Sequence, residues 1–411
     1  MKLRIEKERL ARELDQLGAI SSEPSPVVTR IVFSEADLRA RLFVKQLCSE
    51  AALNVREDAV GNTFARWIGS EPQLAAVGTG SHIDAIPNAG RFDGTVGVLG
   101  GLEAIRTLQR SGFHPRRSIE LLLFTSEEPT RFGIGCLGSR LLAGTLRTPL
   151  IDSGGLSLDQ VRHDAGFTGE LAGVPLPRDY YSAFIELHIE QGPLLENEGI
   201  DVGVVTAIAA PATLRIEIEG EGGHAGAVLM PGRRDAFLAA AEIALAVEAA
   251  AKASGAIDTV ATTGVCDIFP RAVNSIPSRA RMEIDVRDID GARRDATLKR
   301  IEHAAREAAA RRGVTVKQEL LNADSPGACA PAVIAALEQA CIAQGATHRL
   351  MISRAYHDSL FMSQIVPTAM LFIPCRGGVS HRPDEYSSPE AIAQGALILA
   401  EAISQLSSTG S

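Results

Sequence analysis

The chain has 411 residues, of which 45% are hydrophobic but only 4% aromatic, and its formal net charge is −9. This length exceeds one typical hydrophobic core, so we expect two domains packed mainly through aliphatic side chains. The acidic balance argues against nucleic acid as the main partner, because phosphate binding requires a basic surface. A small anionic substrate remains compatible with it, since such a molecule needs only one or two local cations.

The cysteines argue against a thiolate zinc site, because no CxxC or CxxH pair occurs. Single cysteines are typical of reduced, buried thiols. The N-terminal segment has a charged, amphipathic helical pattern rather than the apolar core of a signal peptide. No uncharged apolar run reaches the roughly 18 residues of a membrane helix. We therefore expect a cytoplasmic protein. The cysteines are Cys48, Cys136, Cys266, Cys329, Cys341 and Cys375.

The first half of the chain alternates predicted strands and helices. Ser34 is a predicted N-cap, with Asp37 three residues further on. Apolar strands are predicted at 74–82 and 118–125, and a helix rich in small residues is predicted between them at 95–108. The second strand is apolar on both faces, as in a parallel sheet covered by helices. This order predicts an α/β fold with a mostly parallel sheet.

The pattern changes near Ala209. Hydrophobic and charged residues alternate over 214–219, which predicts a strand with one exposed face. Further predicted elements are a helix at 235–251, strands at 259–264 and 281–285, a helix at 292–310 and a strand at 314–321. The order βαββαβ is the ferredoxin-like unit. We therefore predict a catalytic domain formed by residues 1–209 and 323–411, interrupted by a smaller α+β domain at 210–322.

Candidate metal ligands follow the predicted strands, where an open α/β sheet gathers its functional groups. His82 and Asp84 are two residues apart, so Asp84 could accept the second ring N–H of His82. An incidental histidine beside a capping aspartate is the alternative. Asp93 lies among glycines in NAGRFDGTVG, where its carboxylate could bridge two cations. An Asx turn at a helix start is the commoner role of Asp-Gly.

Glu127 and Glu128 form the most specific local signal. Two adjacent carboxylates at the end of a buried strand are unfavourable through desolvation and like-charge repulsion. A nearby divalent cation would remove that penalty, with one carboxylate binding metal while its neighbour transfers protons. The alternative is an acidic pair at a helix N-terminus, favoured by the helix dipole.

Two further histidines complete the candidate set. His188 lies near the end of the alternating segment FIELHIE, and Gln191 follows it as a neutral donor and acceptor. His381 lies in a loop after the apolar strand AMLFIP. A structural role is an equal alternative for either histidine taken alone. Together, three imidazoles and two carboxylates are enough to hold two divalent cations that share a carboxylate.

The predicted insertion carries three candidate residues of its own. His224 is flanked by small residues in EGGHAGAV, as if presented at a surface. Asn274 and Arg287 could bind a carboxylate, Arg287 through two parallel hydrogen bonds. Exposed loop residues and a surface salt bridge are the alternatives.

Taken together, these segments resemble the hydantoinase/carbamoylase family of dinuclear, metallopeptidase-like amidohydrolases. The resemblance extends from about Ala19 to Leu406. The segments that carry it are GSHIDAIPNAGRFDG, EEPTRFG, ELHIEQGP, GGHAG, AVNSIP, DVRD and GGVSHRPDEYS.

The resemblance implies two divalent cations per subunit, Mn²⁺ or Zn²⁺. It implies that Asp93 supplies a carboxylate shared by the two cations and that Glu127 is the general base. The implied ligands are His82, Asp93, Glu128, His188 and His381. The insertion would be a dimerisation (lid) domain of a homodimer. The residues implied to reach the partner's site are His224, Asn274 and Arg287.

Within the family, FTSEEPTRFGIGCLGSRLLAG and MISRAYHDSLFM resemble the ureidoglycolate amidohydrolases. Pro129 and Tyr356 stand where the carbamoylases usually carry glycine. A tyrosine at this point would shrink the pocket and add a hydroxyl, which suits a small hydroxylated substrate. Arg271 departs from the pattern, because many relatives have asparagine there.

The resemblance implies hydrolysis of (S)-ureidoglycolate to glyoxylate, ammonia and carbon dioxide, with a preference for Mn²⁺. His224 would stabilise the developing oxyanion, and Gln191 would bind the ureido group. Asn274 and Arg287 would hold the carboxylate. The alternatives are an N-carbamoyl-L-amino-acid hydrolase, an allantoate amidohydrolase, or a non-catalytic metal- or amino-acid-binding protein on the same scaffold.

Overall fold

The computed structural model describes residues 3–146 and 149–408. Its α-helices, numbered in chain order, are α1 Lys7–Gly18, α2 Glu35–Glu50, α3 Thr95–Arg110, α4 Leu137–Leu142, α5 Leu158–Asp164, α6 Leu194–Glu198, α7 Ala236–Lys252, α8 Gly291–Arg312, α9 Pro331–Ala343, α10 Asp358–Met362 and α11 Pro389–Ser408. Its strands are β1 Val28–Arg30, β2 Asn54–Glu57, β3 Thr63–Trp67, β4 Ala76–His82, β5 Ala85–Ala89, β6 Ile119–Phe124, β7 Tyr181–Ile189, β8 Val202–Ile208, β9 Ala210–Glu219, β10 Gly223–His224, β11 Val260–Phe269, β12 Ser275–Ile276, β13 Arg279–Asp288, β14 Thr315–Ala323, β15 Gly327–Ala328, β16 His348–Ser353 and β17 Thr368–Ile373.

The chain divides into two compact units. Unit 1 comprises the residues up to Thr206, Ala328–Ser353 and the residues from His357 onward, and unit 2 comprises Ala207–Gly327 and Arg354–Tyr356. The sequence placed the borders of the insertion at 209/210 and 322/323, a few residues inside those of unit 2. None of the helices in the described part of the chain combines the length and the hydropathy that a membrane crossing requires.

Unit 1 is built on a sheet with the strand order β15-β8-β17-β7-β4-β6-β3-β2, in which β16 also pairs with β8. The central strands β17, β7, β4 and β6 are parallel, whereas β8, β3 and β2 join them antiparallel. All residues of β4, β6 and β17 are buried, as expected of parallel strands covered on both faces. The predicted fold class is therefore confirmed, with antiparallel strands added at both edges.

Helix α3 packs directly on this sheet because its inner face carries glycines. A Cβ atom on Gly97 would lie 2.3 Å from the carbonyl oxygen of Leu187 in β7. Gly94, the N-cap residue, has a φ of 66°, and a Cβ there would lie 2.5 Å from Nε2 of His82. Small residues therefore bring the start of α3, and Asp93 just before it, against the ends of the strands.

Unit 2 contains an antiparallel sheet in the order β11-β13-β9-β14. Helices α7 and α8 connect β9 to β11 and β13 to β14, which confirms the ferredoxin-like order. Leu214, Ile216 and Ile218 of β9 are buried in a core shared with α7 and α8. The N-caps of the two helices are Asp235 and Asp290, whose carboxylates accept backbone N–H groups of the first turn.

Candidate metal centre

Four parallel strands of unit 1 bring the candidate residues to one edge of the sheet. His82 is the last residue of β4, and His188 is the penultimate residue of β7. Glu127 and Glu128 follow β6 after a short turn in which Ser126 has a φ of 56°. His381 lies in the loop after β17. Because the carboxyl ends of parallel strands coincide, residues far apart in sequence converge here.

Asp93 lies at the centre of the cluster. Its Oδ1 is 3.1 Å from Nε2 of His188 and 3.7 Å from Nε2 of His82. Its Oδ2 is 3.1 Å from Nε2 of His381, which is also 3.3 Å from Oε1 of Glu128. The two oxygens of one carboxylate thus face two different groups of donors, His82–His188 and Glu128–His381.

The two histidines on the strands present Nε2 to the cluster because Nδ1 is held by the backbone. Nδ1 of His82 lies 3.1 Å from the carbonyl oxygen of Asp84, and Nδ1 of His188 lies 2.9 Å from that of Ile189. A carbonyl accepts only from N–H, so Nδ1 carries the ring proton and Nε2 of the neutral ring has a lone pair. This is the tautomer that binds a metal through Nε2.

The carboxylate of Asp84 has a different contact from the one expected. Its Oδ1 is 3.6 Å from Nδ1 of His82, farther than the backbone carbonyl of the same residue. Its two oxygens instead accept the backbone N–H groups of Glu127 and Glu128, at 3.1 and 3.0 Å. Asp84 therefore fixes the backbone of the two glutamates and, through its carbonyl, the ring of His82.

The carboxylates of Asp93, Glu127 and Glu128 are buried, and histidines are the positively charged groups beside them. Burial raises the pKa of Glu127 well above its usual range, and the charge of Glu128 raises it further. Burial opposes ionisation of Asp93 too, but hydrogen bonds from the protonated rings of His188 and His381 hold the pKa of Asp93 well below its usual value. Hydrogen bonds to Asp93 and Glu128 raise the pKa of His381 to about 11. The cluster therefore has strong affinity for positive charge.

Glu127 is held differently from its neighbour. Its Oε1 accepts a hydrogen bond from the thiol of Cys136 at 3.7 Å, and its Oε2 lies 3.8 Å from Nε2 of His82. It belongs to neither of the two donor groups that share Asp93. A carboxylate beside the cluster but outside these groups is placed to exchange protons.

Gln191 and two residues that the sequence did not single out also contact Asp93. Nε2 of Gln191 donates to Oδ2 of Asp93 at 2.9 Å, while its buried Oε1 has no hydrogen-bond partner among the described residues. Ser380 lies 3.0 Å from the same Oδ2. Glu385 accepts the backbone N–H of Asp93 at 3.0 Å. Its burial, and to a smaller extent the negative charge of Asp93, raise the pKa of Glu385 to about 7. No sequence signal marked Glu385, because its partners here are backbone amides.

A second buried polar group lies beside His188. The ring of His357 is 4.4 Å from that of His188, centroid to centroid. Glu186 accepts from Ser81 at 2.8 Å and from the backbone N–H of Ser359 at 3.1 Å. The adjacent pair His357–Asp358 in sequence was the available signal, but only burial of both residues makes it informative.

The remaining predicted residues belong to unit 2. His224 on β10 is exposed, and the pairing of β10 with β12 brings it beside Asn274, whose carbonyl accepts the backbone N–H of Ala225 at 2.9 Å. Arg287 on β13 donates from Nε to Asp285 at 2.8 Å, and its guanidinium lies 5.7 Å from the centre of the Tyr356 ring.

The geometry of unit 1 fits two metal ions. Besides the group formed by Glu186, His188 and His357, two groups of candidate ligands that share Asp93 have their donor atoms within 4.8 Å of one another. Imidazole nitrogen and carboxylate oxygen suit Zn²⁺ and Mn²⁺. The groups are His82, Asp93 and His188, and Asp93, Glu128 and His381.

Comparison with known proteins places this centre in a family. Residues 78–405 match the family described as Peptidase family M20/M25/M40. The chain belongs to this family. The M20 family is one of metal-dependent hydrolases, so the enzyme class expected from the sequence is confirmed.

The chain is similar over almost its whole length to characterised members of the family. Ureidoglycolate hydrolase of Arabidopsis thaliana is 52% identical, and the match covers 98% of this chain and 87% of that protein. N-carbamoyl-L-amino acid amidohydrolase of Geobacillus stearothermophilus is 38% identical, with 98% and 99% covered. The crystal structure of AtUAH in complex with glyoxylate has 52% identity and a TM-score of 0.92, with 98% of each chain covered. These similarities confirm the predicted resemblance to the hydantoinase/carbamoylase-type amidohydrolases.

Proposed function

We propose that this chain hydrolyses the ureido C–N bond of (S)-ureidoglycolate. The observation that carries the proposal is the position of Asp93, whose two oxygens face separate donor groups beside the carboxylate of Glu127. The 52% identity with a ureidoglycolate hydrolase supports the choice of substrate. One water and one ureidoglycolate would give glyoxylate, carbon dioxide and two molecules of ammonia.

Two divalent cations would be held by the five predicted ligands of unit 1, with Asp93 shared. When bound, they would lower the pKa of water and polarise the ureido carbonyl. The ligand set does not distinguish Mn²⁺ from Zn²⁺, and we propose Mn²⁺ on the resemblance to the ureidoglycolate amidohydrolases. The ligands are His82, Asp93, Glu128, His188 and His381.

Glu127 would act as general base and then as general acid. A carboxylate beside the cluster but outside both donor groups can take a proton from water and pass it to the leaving nitrogen. Cys136 restrains Oε1, which leaves Oε2 directed towards His82 and the cluster. The backbone of Glu127 is fixed by Asp84, so the carboxylate is held in place before substrate binds.

Gln191 would bind the ureido group. Its Oε1 is buried without a partner among the described residues and could accept a ureido N–H. Arg287 and Asn274 would hold the carboxylate of the substrate, and Tyr356 would narrow the pocket and add a hydroxyl to it. The guanidinium of Arg287 stacks near Tyr356, which supports a shared role for these two residues.

His224 would stabilise negative charge on the ureido oxygen. Its Nδ1 accepts the backbone N–H groups of Gly226 and Ala227, at 3.1 and 3.2 Å. The ring proton is therefore on Nε2, and the exposed edge of the ring is a hydrogen-bond donor. Removing one such donor costs a hydrolase about 3 kcal/mol of transition-state stabilisation.

We also propose a homodimer in which His224, Asn274 and Arg287 act in the partner's site, with unit 2 as dimerisation and lid domain. Exposed apolar side chains on unit 2 support a role of this unit in dimerisation, among them Leu229 at 77% and Leu245 at 69% exposure.

We also propose that the protein is cytoplasmic. Scattered cysteines without disulfides among the described residues support this compartment.

The dimer is tested by mixing two inactive variants, His224→Ala and Glu127→Gln, under conditions that exchange subunits. Each mixed dimer would contain one site with both residues intact, so part of the activity should return. Each variant incubated alone is the control. Absence of recovery, with subunit exchange demonstrated, would place His224 in the site of its own chain.

Substrate specificity is tested by steady-state ammonia release with added Mn²⁺. The substrates are (S)-ureidoglycolate, allantoate and a set of N-carbamoyl-L-amino acids. We expect kcat/KM for ureidoglycolate to exceed the others by at least about 100-fold, as sites that pair polar substrate groups achieve. A higher value for a carbamoyl amino acid or allantoate would establish that alternative, and metal binding without ammonia release would establish a non-catalytic protein.

A further inference from the structure

Glu385 connects two loops that carry separate candidate ligands. It lies in the loop that carries His381, and its side chain is buried. Its Oε1 accepts the backbone N–H groups of Phe92 and Asp93, at 2.8 and 3.0 Å. One carboxylate oxygen therefore binds two successive amides of the loop before α3.

The other oxygen of Glu385 reaches Asp93 through a hydroxyl. Oε2 lies 2.9 Å from Oγ of Ser380, and the same Oγ lies 3.0 Å from Oδ2 of Asp93. Gln191 donates to this Oγ at 3.2 Å. The backbone and the side chain of Asp93 are thus both connected to Glu385.

The loop before α3 is fitted closely around this side chain. A Cβ atom on Gly90 would lie 2.4 Å from Cβ of Glu385 and 2.5 Å from its Oε1. Only glycine leaves room for the carboxylate at this point. The contact is therefore part of the shape of the loop that presents Asp93.

We propose that Glu385 is a positioning residue that fixes Asp93 and the His381 loop relative to each other, so that the shared carboxylate faces both donor groups. This inference rests on the proposed function of the centre. Glu385 is in neither donor group and would act through Asp93 and the His381 loop. Residues that orient metal ligands in this way commonly change metal affinity by about 10–100-fold when removed.

The test is metal binding by the metal-free protein, measured by titration with Mn²⁺ and with Zn²⁺. Glu385→Ala should weaken binding by about 10–100-fold. Glu385→Gln should stay within about threefold of the parent, because its amide oxygen can accept the two backbone N–H groups and its amino group can donate to Ser380. Rescue by glutamine would separate a specific hydrogen-bonding role from general packing.

A matched control is Glu103→Ala. Glu103 is also a buried carboxylate of unit 1 that accepts a backbone N–H, that of Glu6 at 2.9 Å, but its recorded partners lie in and beside α1 and α3 rather than in the centre. This variant should lower the thermal midpoint of the metal-free protein and leave metal affinity unchanged. A purely structural role for Glu385 would give the same result for Glu385→Ala.

Ser380→Ala is the second variant, and it decides the matter if Glu385→Ala does not fold. It removes the hydroxyl through which Oε2 of Glu385 reaches Asp93, and which also accepts from Gln191, so metal affinity should fall by at least about threefold with the thermal midpoint little changed. Parent-like affinity in every variant that folds would overturn the inference. A parent that binds no second metal ion would overturn the proposed function itself, and the two failures are therefore distinguishable.

Discussion

The main sheets of the two units carry charged side chains in different surroundings. On the open face of the sheet in unit 2, Arg215 and Glu283 lie opposite each other on β9 and β13, 2.9 Å apart and each about a quarter exposed. At the edge of the sheet in unit 1, Asp93, Glu127 and Glu128 are buried. Among the described residues, their recorded ion-pair partners are histidines.

This difference in exposure distinguishes charges that cost the fold little free energy from buried charges whose desolvation must be offset by some other interaction. A partly exposed pair such as Arg215–Glu283 is solvated and contributes about 0–1 kcal/mol. Buried carboxylates without a strong base lower stability through desolvation and mutual repulsion. Bound cations would offset that penalty, so the buried charges at this edge of the sheet in unit 1 indicate function while most charges in unit 2 indicate a solvated surface.

The largest expected effect comes from Glu127→Gln. Glutamine keeps the shape of the side chain but cannot take up a proton, so kcat should fall by about 10²–10⁴-fold. Metal content should remain at the level of the parent, because Glu127 is in neither donor group. Ammonia release and metal analysis check this, and a variant that retains more than about a tenth of the parent rate would exclude Glu127 as the base.

Arg287→Ala tests whether Arg287, unlike the other partly exposed charges of unit 2, binds the substrate carboxylate. Loss of a hydrogen bond to a charged carboxylate should lower kcat/KM for ureidoglycolate by about 10–100-fold and affect a neutral urea far less. Arg215→Ala is the matched control, since Arg215 is equally exposed and also paired with a carboxylate. Equal losses on charged and neutral substrates would mean that Arg287 is structural.

Removing metal ions should destabilise the protein. A ligand that binds only the folded state adds about 2.7 kcal/mol at 100 times its Kd. We therefore expect the urea midpoint to fall when a chelator is added, and amide hydrogen exchange to increase at the ends of β4, β6 and β7 rather than in unit 2. A uniform increase across both units would contradict a metal centre confined to unit 1.

The smallest effect concerns pH in the metal-free protein. The folded-state pKa of His381, about 11, lies above the ordinary value of 6.5. The protonated ring therefore stabilises the fold fully below about pH 6.5, and this contribution is lost as the pH rises towards about 11. The difference in unfolding free energy between the parent and His381→Ala, measured in chelator, should shrink from pH 7 to pH 9.5. A difference that does not change with pH would mean that ion pairs of His381 with Asp93 and Glu128 do not stabilise the metal-free fold.

Much of this organisation could be predicted from the sequence because it depends on local patterns. The apolar run of β6 followed directly by Glu127 and Glu128 indicated both a central strand and a site. The alternation in β9 indicated a sheet with one exposed face. The separate histidines became informative only together, since strand ends that are distant in sequence meet at one edge of a parallel sheet.

Contacts between distant loops could not be predicted in this way. Asp84 binds the amides of Glu127 and Glu128, and Glu385 binds those of Phe92 and Asp93, across 43 to 293 positions. A carboxylate that accepts backbone N–H groups has no characteristic sequence, because its partners are present at every residue. The polar edge strand β2 was not predicted either, since its hydrophobic content is too low to form a pattern.

The most direct test of the metal centre is anomalous diffraction from crystals of the protein loaded with Mn²⁺ or Zn²⁺. We predict two peaks on opposite sides of Asp93, one beside His82 and His188 and the other beside Glu128 and His381. A single peak, or peaks away from Asp93, would contradict the shared carboxylate on which the proposed chemistry depends.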